Sequence, residues 1–178
     1  MKSVPHRLPS QESPMSKGRE IRFFDYVNRP YDEVRAALEN EASDVFRTAT
    51  HAAEARAGTV AAALRVQVAG IEIGTNVAIR IHDIEEIAAE AGSPPTTRIQ
   101  IEWEAAKAAR WFPSMKAELA VYPLTPTETQ LDLQGRYEPP LGALGQAMDA
   151  TILHRIAEAS VHQFVRDIGR FLRSASAE

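Results

Sequence analysis

Cysteine is missing from this chain of 178 residues. That absence excludes a disulfide framework, a thiolate-bound zinc and a thiol nucleophile together, and it suits a reducing compartment. Long apolar runs are missing too. Nothing approaches the roughly 18 residues needed to cross a bilayer, and the opening stretch MKSVPHRLPSQESPMSKG lacks the apolar segment of a secretory signal. The expected location is therefore cytoplasmic, with no transmembrane segment. A block of one charge is also lacking. The 20 Lys and Arg residues are scattered among 24 Asp and Glu, for a formal net charge of −4. Without a basic stripe to track a phosphate backbone, nucleic acid is not an expected partner. Nucleotide and hydrolase fingerprints are absent as well: GALG at 142–145 falls short of a P-loop, a dinucleotide-binding loop and a nucleophile elbow.

What remains is the composition of a globular domain, 44% hydrophobic and 25% charged, enough to bury one core. Residues 1–18 read as a flexible tail, since Pro5, Pro9 and Pro14 stand among polar residues with no apolar period. Met15, just ahead of the first patterned segment, is a second candidate start of translation. The domain is expected over 19–174, followed by four disordered residues, 175–178.

The segment EIRFFDYVN (20–28) reads as a strand closed by Asn28, Arg29 and Pro30. Tyr31, Val34, Ala37 and Leu38 then recur at helical spacing behind a proline that suits a first turn. NEASDVFR (40–47) gives a second short helical stretch. From Thr59 the period changes to two. Leu64, Val66 and Val68 alternate with polar or small residues, as do Val77, Ile79 and Ile81, then Ile99, Ile101 and Trp103. Met115, Ala117, Leu119 and Val121 follow the same rule, and so do Leu131, Leu133 and Tyr137. Such segments belong to an antiparallel sheet wetted on one face. Gly70, Gly74, GSPP at 92–95, Pro113 and the stretch from Pro123 to Pro126 supply the turns. HDIEEIAAEAG (82–92) fits a bulged strand continuation or a helical turn, and is read as a long hairpin arm.

Pro139 and Pro140 cannot continue a ladder but can open a helix, so the last strand ends there and a helix is expected from Leu141 to about Arg173. Its early apolar stripe is Leu144, Met148, Ile152 and Ile156, and its later one Val161, Phe164, Val165, Ile168, Phe171 and Leu172. At 100° per residue the two stripes lie nearly opposite, so the first turns should touch something different from the last. Gly142 and Gly145 favour close approach or softness in the opening turns.

This order of elements, carried by YVNRPYDEVRAAL (26–38) and LDLQGRYEPPLGALGQAMD (131–149), resembles the START-like superfamily, also known as SRPBCC, helix-grip or birch-pollen-allergen-like. Within it, the chain looks most like the polyketide cyclase/dehydratase and lipid-transport branch. The resemblance implies an α+β helix-grip fold: a curved antiparallel sheet of about six or seven strands wrapped around a long C-terminal helix, with one or two short helices after the first strand. It also implies a cavity between sheet and helix. The strand alternation assigns Leu64, Val66, Ile79, Ile81, Ile101, Trp103, Met115, Leu119, Leu131, Leu133 and Tyr137 to its wall, with Leu144, Met148 and Ile152 from the helix. Tyr137 or the Trp103 N–H would orient a polar end of the ligand. Each of these side chains also has a plain-core reading, since filling space is the commoner role of such residues. Trp111 and Phe112, in RWFPS, mark the cavity mouth or anchor a turn.

Catalytic residues are not assignable from a motif. Asp25, Tyr137 and Arg155 are the inward polar candidates, Asp25 because it shares a phase with Ile21, Phe23 and Val27. His154, Glu158 and His162 share a helical face at i, i+4 and i+8, but three groups spread over two turns converge poorly on one ion, so no metal and no cofactor is expected. The expected function is binding of a small hydrophobic molecule, lipid-like, polyketide-like or isoprenoid-like, as a carrier or sensor. The alternatives are a cyclase or dehydratase-like enzyme using the same cavity, and a protein-interaction module docking a partner on the terminal helix.

Overall fold

A computed structural model describes residues 18–63, 77–105, 114–138 and 150–174. The chain runs β1 (Arg19–Val27), α1 (Tyr31–Ala63), β2 (Val77–Ile87), β3 (Thr96–Ala105), β4 (Ser114–Thr125), β5 (Glu128–Glu138) and α2 (Ala150–Ser174). The five strands form one antiparallel sheet in the order β1-β5-β4-β3-β2. Among the described residues the sheet therefore has five strands, slightly fewer than the expected count. Both helices pack on its inner face.

The alternation seen in the sequence is obeyed. Ile99, Ile101 and Trp103, then Met115, Ala117, Leu119 and Val121, and Leu131, Leu133 and Tyr137 are all buried, while Gln100, Lys116, Gln134 and Arg136 face outward. On β1, Ile21 and Val27 are buried and Phe24 and Tyr26 are exposed. The inward phase of β1 is therefore the one that contains Asp25. At the sheet centre Gly135 lies opposite Ala117. A Cβ on Gly135 would stand 2.7 Å from the Ala117 Cβ and 2.8 Å from the Lys116 carbonyl oxygen, so this close approach requires glycine.

The hairpin arm expected over 82–92 is present and carries a bulge. Ile81 pairs with Ile101 but Asp83 pairs with Gln100, so the register shifts at His82. The extra residue brings Ile84 opposite Ile99, on the face of Ile79 and Ile81 in spite of its spacing, and leaves Ile87 on the other face, which is why the sequence pattern was ambiguous there. Gly92, at φ 91°, closes the turn between β2 and β3.

The two short helical stretches are joined in one helix of 33 residues. Its buried positions, Val34, Leu38, Ala42, Val45, Phe46, Ala49 and Ala53, keep helical spacing throughout. Helix also replaces the period-two reading over Thr59–Ala63. That stretch ends in three alanines, the strongest helix formers, whereas the alternation at Leu64 to Val68 lies outside the described residues. Pro30 opens α1, its carbonyl accepting from the amides of Glu33 and Val34 at 3.2 Å, and Asp32 and Glu33 favour the positive end of the helix dipole.

α2 packs against α1 through small residues and one aromatic. Ile156, Ala157, Val161, Phe164, Val165, Ile168 and Leu172 are its buried stripe. Phe164 sits between Trp103, with ring centres 5.0 Å apart, and Phe46, at 5.8 Å. This trio ties the sheet to both helices. The early stripe residues Leu144 and Met148, and with them the expected migration of the apolar face, lie outside the described residues.

Candidate functional site

The β-ladder registers place Arg19, Tyr137, Met115, Trp103 and Ile79 in one row across the inner face. This row lies at the end of the sheet where β2 and β4 begin, β3 and β5 finish, and α2 starts. The connections 64–76, 106–113 and 139–149 all join the described elements at that end. The sequence-assigned wall residues therefore divide by height in the sheet. Trp103, Met115, Tyr137 and Ile79 form this row and Ile101, Leu119, Leu131 and Leu133 lie farther along the strands; all but Ile79, which packs against it with Ile81, belong to one buried core cluster. Leu64, Val66, Leu144 and Met148, and the mouth residues Trp111 and Phe112, lie outside the described residues, as does the side chain of Ile152.

Two grooves flank the core. One, of about 450 Å³, runs between α1 and the edge strand β2, lined by Ser43, Phe46, Arg47, Thr50, His51, Ile79 and Ile81. Its volume falls within the usual range of a small-molecule pocket. The other, of about 370 Å³, lies between β1 and α2, where Ile21, Phe23, Val161 and Ala159 meet His154, Glu158 and His162, with Glu20 and Arg22 at its rim. On the outer face of the sheet a third groove, of about 530 Å³, runs among charged side chains such as Glu20, Arg136, Lys116 and Glu102. These are paired across strands, Arg136 with Glu20 at 2.8 Å and Lys116 with Glu102 at 3.5 Å, as on a solvated surface.

Tyr137 is the polar centre of the inner row. It is 1% exposed, and its hydroxyl lies 2.8 Å from Nδ1 of His154, with the two rings stacked at 6.0 Å. On the other side of the imidazole, Nε2 is 3.2 Å from the Glu158 carboxylate, whose side chain is half exposed. Burial pushes the Tyr137 phenol above its usual range, while Arg19, its partner across the β1–β5 ladder, opposes that shift. Three groups thus connect the inner face to solvent. The helical spacing of His154 and Glu158 was legible as i, i+4, but Tyr137 as their third member was not, because only the packing of α2 against β5 brings it there.

The remaining polar candidates have other roles. Asp25 shares the inward phase, yet it lies at the β1–α2 seam: Arg173 approaches it at 3.4 Å, and its carboxylate accepts from the Tyr26 amide at 2.9 Å. Arg173 also donates to the Tyr26 carbonyl, so this part of the edge strand is capped against further pairing. Arg155, one helical step from His154, points to solvent. His162 turns its ring onto Phe23, with centres 4.2 Å apart. Among the described residues no three His, Asp or Glu side chains gather to hold a metal ion, and no helix is long and apolar enough to cross a membrane.

No family model and no curated protein sequence matches the chain. Solved structures do. TTHA0849 from Thermus thermophilus superposes with a TM-score of 0.50 at 11% identity, covering 89% of this chain and 100% of that one. The two chains share a fold, in which one face of the antiparallel sheet grips the C-terminal helix: a helix grip. The Zhui aromatase/cyclase from Streptomyces sp. R1128 aligns with 90% of this chain and 99% of its own, at a TM-score of 0.40 and 14% identity. Norcoclaurine synthase from Thalictrum flavum, in complex with dopamine and hydroxybenzaldehyde, covers 98% of this chain and 100% of its own at a TM-score of 0.35 and 8% identity. In this chain the helix grip has a long α1 lying beside the gripped helix.

Proposed function

We propose that this protein binds a small hydrophobic molecule between sheet and C-terminal helix and acts as its carrier or sensor. The observation that carries the reading is the inner row Ile79–Trp103–Met115–Tyr137. It starts in the 450 Å³ groove beside α1 and ends at a buried hydroxyl. Apolar walls with one polar group at the end are what a pocket needs to hold and orient an apolar ligand. The groove between α1 and β2 serves as the way in, because Ile79 and Ile81 are only partly buried on an edge strand and can yield at modest cost.

Native mass spectrometry of gently purified protein, followed by solvent extraction, tests this. A defined apolar mass should accompany the wild type and be lost from Ile79→Trp, whose indole fills the groove while the edge strand stays folded. A wild type that remains at its apo mass against an apolar ligand library overturns the reading.

A further inference from the structure

We propose that the ligand of the groove between α1 and β2 is an apolar acid, whose carboxylate stays at the groove mouth on Arg47 while its body lies inside. The inference rests on the ligand-binding reading above and adds the chemistry of the ligand's solvent-facing end. It follows from how the lining residues are distributed. Phe46 and Thr50 are buried, Ile79 and Ile81 are partly buried, and the Thr50 hydroxyl spends its proton on the Phe46 carbonyl at 2.7 Å. This inner part offers contact area to a hydrocarbon body. Ser43, Arg47 and His51 line the same groove from exposed positions on α1, spaced at i, i+4 and i+8, so they form one polar rim across from the isoleucines of β2.

Arg47 brings the one formal charge among the described residues that line the groove. Its guanidinium lies 2.6 Å from the carboxylate of Asp44, one turn back on α1. The two side chains are 67% and 63% exposed, and a pair of that kind holds weakly, so a ligand can share or displace it. The planar fork of five N–H groups has donors for a second carboxylate. The acids of the α1–β2 seam are gathered elsewhere: Glu39 and Glu86 accept from Arg35 at 3.1 and 2.8 Å, about two helical turns before Arg47. The seam is thereby polarised, with its carboxylates on Arg35 at one end and an arginine at the groove. One fork suits one carboxylate, whereas a phosphate dianion calls for further cations or N–H donors.

The test compares 2-naphthoate with 2-naphthamide, which share a shape and differ in charge, by fluorescence titration of the full chain at about pH 7.5, where the acid is ionised. Wild type should bind the acid about fivefold more tightly, the size of effect expected of a charge-assisted hydrogen bond near solvent. Arg47→Gln, altered at an exposed side chain and expected to fold normally, should cancel that preference by weakening the acid alone. Asp44→Asn should do the opposite: with the competing carboxylate gone, naphthoate affinity should rise about twofold while naphthamide affinity stays unchanged. An Arg47 that only braces the helix would give no such gain. Equal wild-type affinities, a preference kept in Arg47→Gln, or no gain in Asp44→Asn would overturn the acid assignment and leave the ligand-binding reading standing. If neither probe binds the wild type up to its solubility limit, both readings fall.

Discussion

The two ends of the sheet each engage a tyrosine hydroxyl, and they use it differently. At the end where β1 turns into α1, the Tyr31 hydroxyl meets Thr97 Oγ1 at 2.8 Å, Thr129 Oγ1 donates to the Arg29 carbonyl at 2.9 Å, and the Arg29 guanidinium donates to the Leu172 carbonyl at 3.0 Å. These bonds join β3, β5, the β1–α1 turn and the last turn of α2. The Thr129 and Arg29 bonds finish on backbone carbonyls, so this end is tied within the protein. Arg29 in addition places a positive charge where the α2 dipole is negative, and pairs with Glu33 at 2.9 Å. At the opposite end the chain from Tyr137 passes through His154 to a half-exposed carboxylate. Bonds that end on the backbone hold elements together, whereas the polar chain at the other end reaches solvent through Glu158. The contrast sets an end tied inside the protein against one that opens outward.

The largest expected effect comes from removing what separates them. Phe164 is fully buried between Trp103 and Phe46, so Phe164→Ala should cost about 3–5 kcal/mol, through lost transfer energy and an unfilled cavity. Urea unfolding measures it. A loss under about 1 kcal/mol would mean that the middle of the molecule collapses to fill the space, and that the ends are not separated by a packed wall.

A smaller loss is expected at the closed end. Arg29→Ala removes a charge-assisted bond to a helix C-terminus and should cost about 1–2 kcal/mol in the same assay. The Arg29 partners Leu172 and Glu33 lie at the opposite end of the sheet from His154, the partner of Glu158, so the loss should add to that of Glu158→Ala. A double mutant whose loss departs from the sum would show that the ends communicate and would break the contrast.

How much of this could be read in the sequence depends on range. Period-two alternation placed Ile99 to Trp103, Met115 to Val121 and Leu131 to Tyr137 on the buried face, because side-chain direction in a strand is a local property. The continuous α1 was only partly legible: its buried stripe passes through Ala42, Ala49 and Ala53, which read as neither apolar nor polar until α2 packs on them. The row from Ile79 to Tyr137 was invisible for a stronger reason. Membership of a row is set by register between strands, and His82 adds a bulge that no local pattern counts. His154, Glu158 and His162 were legible as one helical face without a metal, but the contacts that give His154 to Tyr137 and His162 to Phe23 are tertiary and left no mark in the spacing.

The smallest effect concerns how dry the groove beside β1 is. Burial against Phe23 holds the His162 pKa below the ordinary histidine value; Arg166 and Arg56 push in the same direction and Asp25 opposes them. An unfolded chain protonates this histidine near pH 6.5, whereas the folded chain does so only at lower pH. Between those values the unfolded state holds more protons, so stability falls as pH drops through about 6.5 and is unaffected well above it. His162→Gln removes the titration and should flatten that slope between about pH 8 and pH 5 in urea unfolding, the difference between the two curves cancelling His51, His82 and His154. Parallel curves would mean that His162 charges freely in the folded protein. The groove beside His154 would then be wet, and the open end of the hydrogen-bond chain would begin nearer the sheet than Glu158.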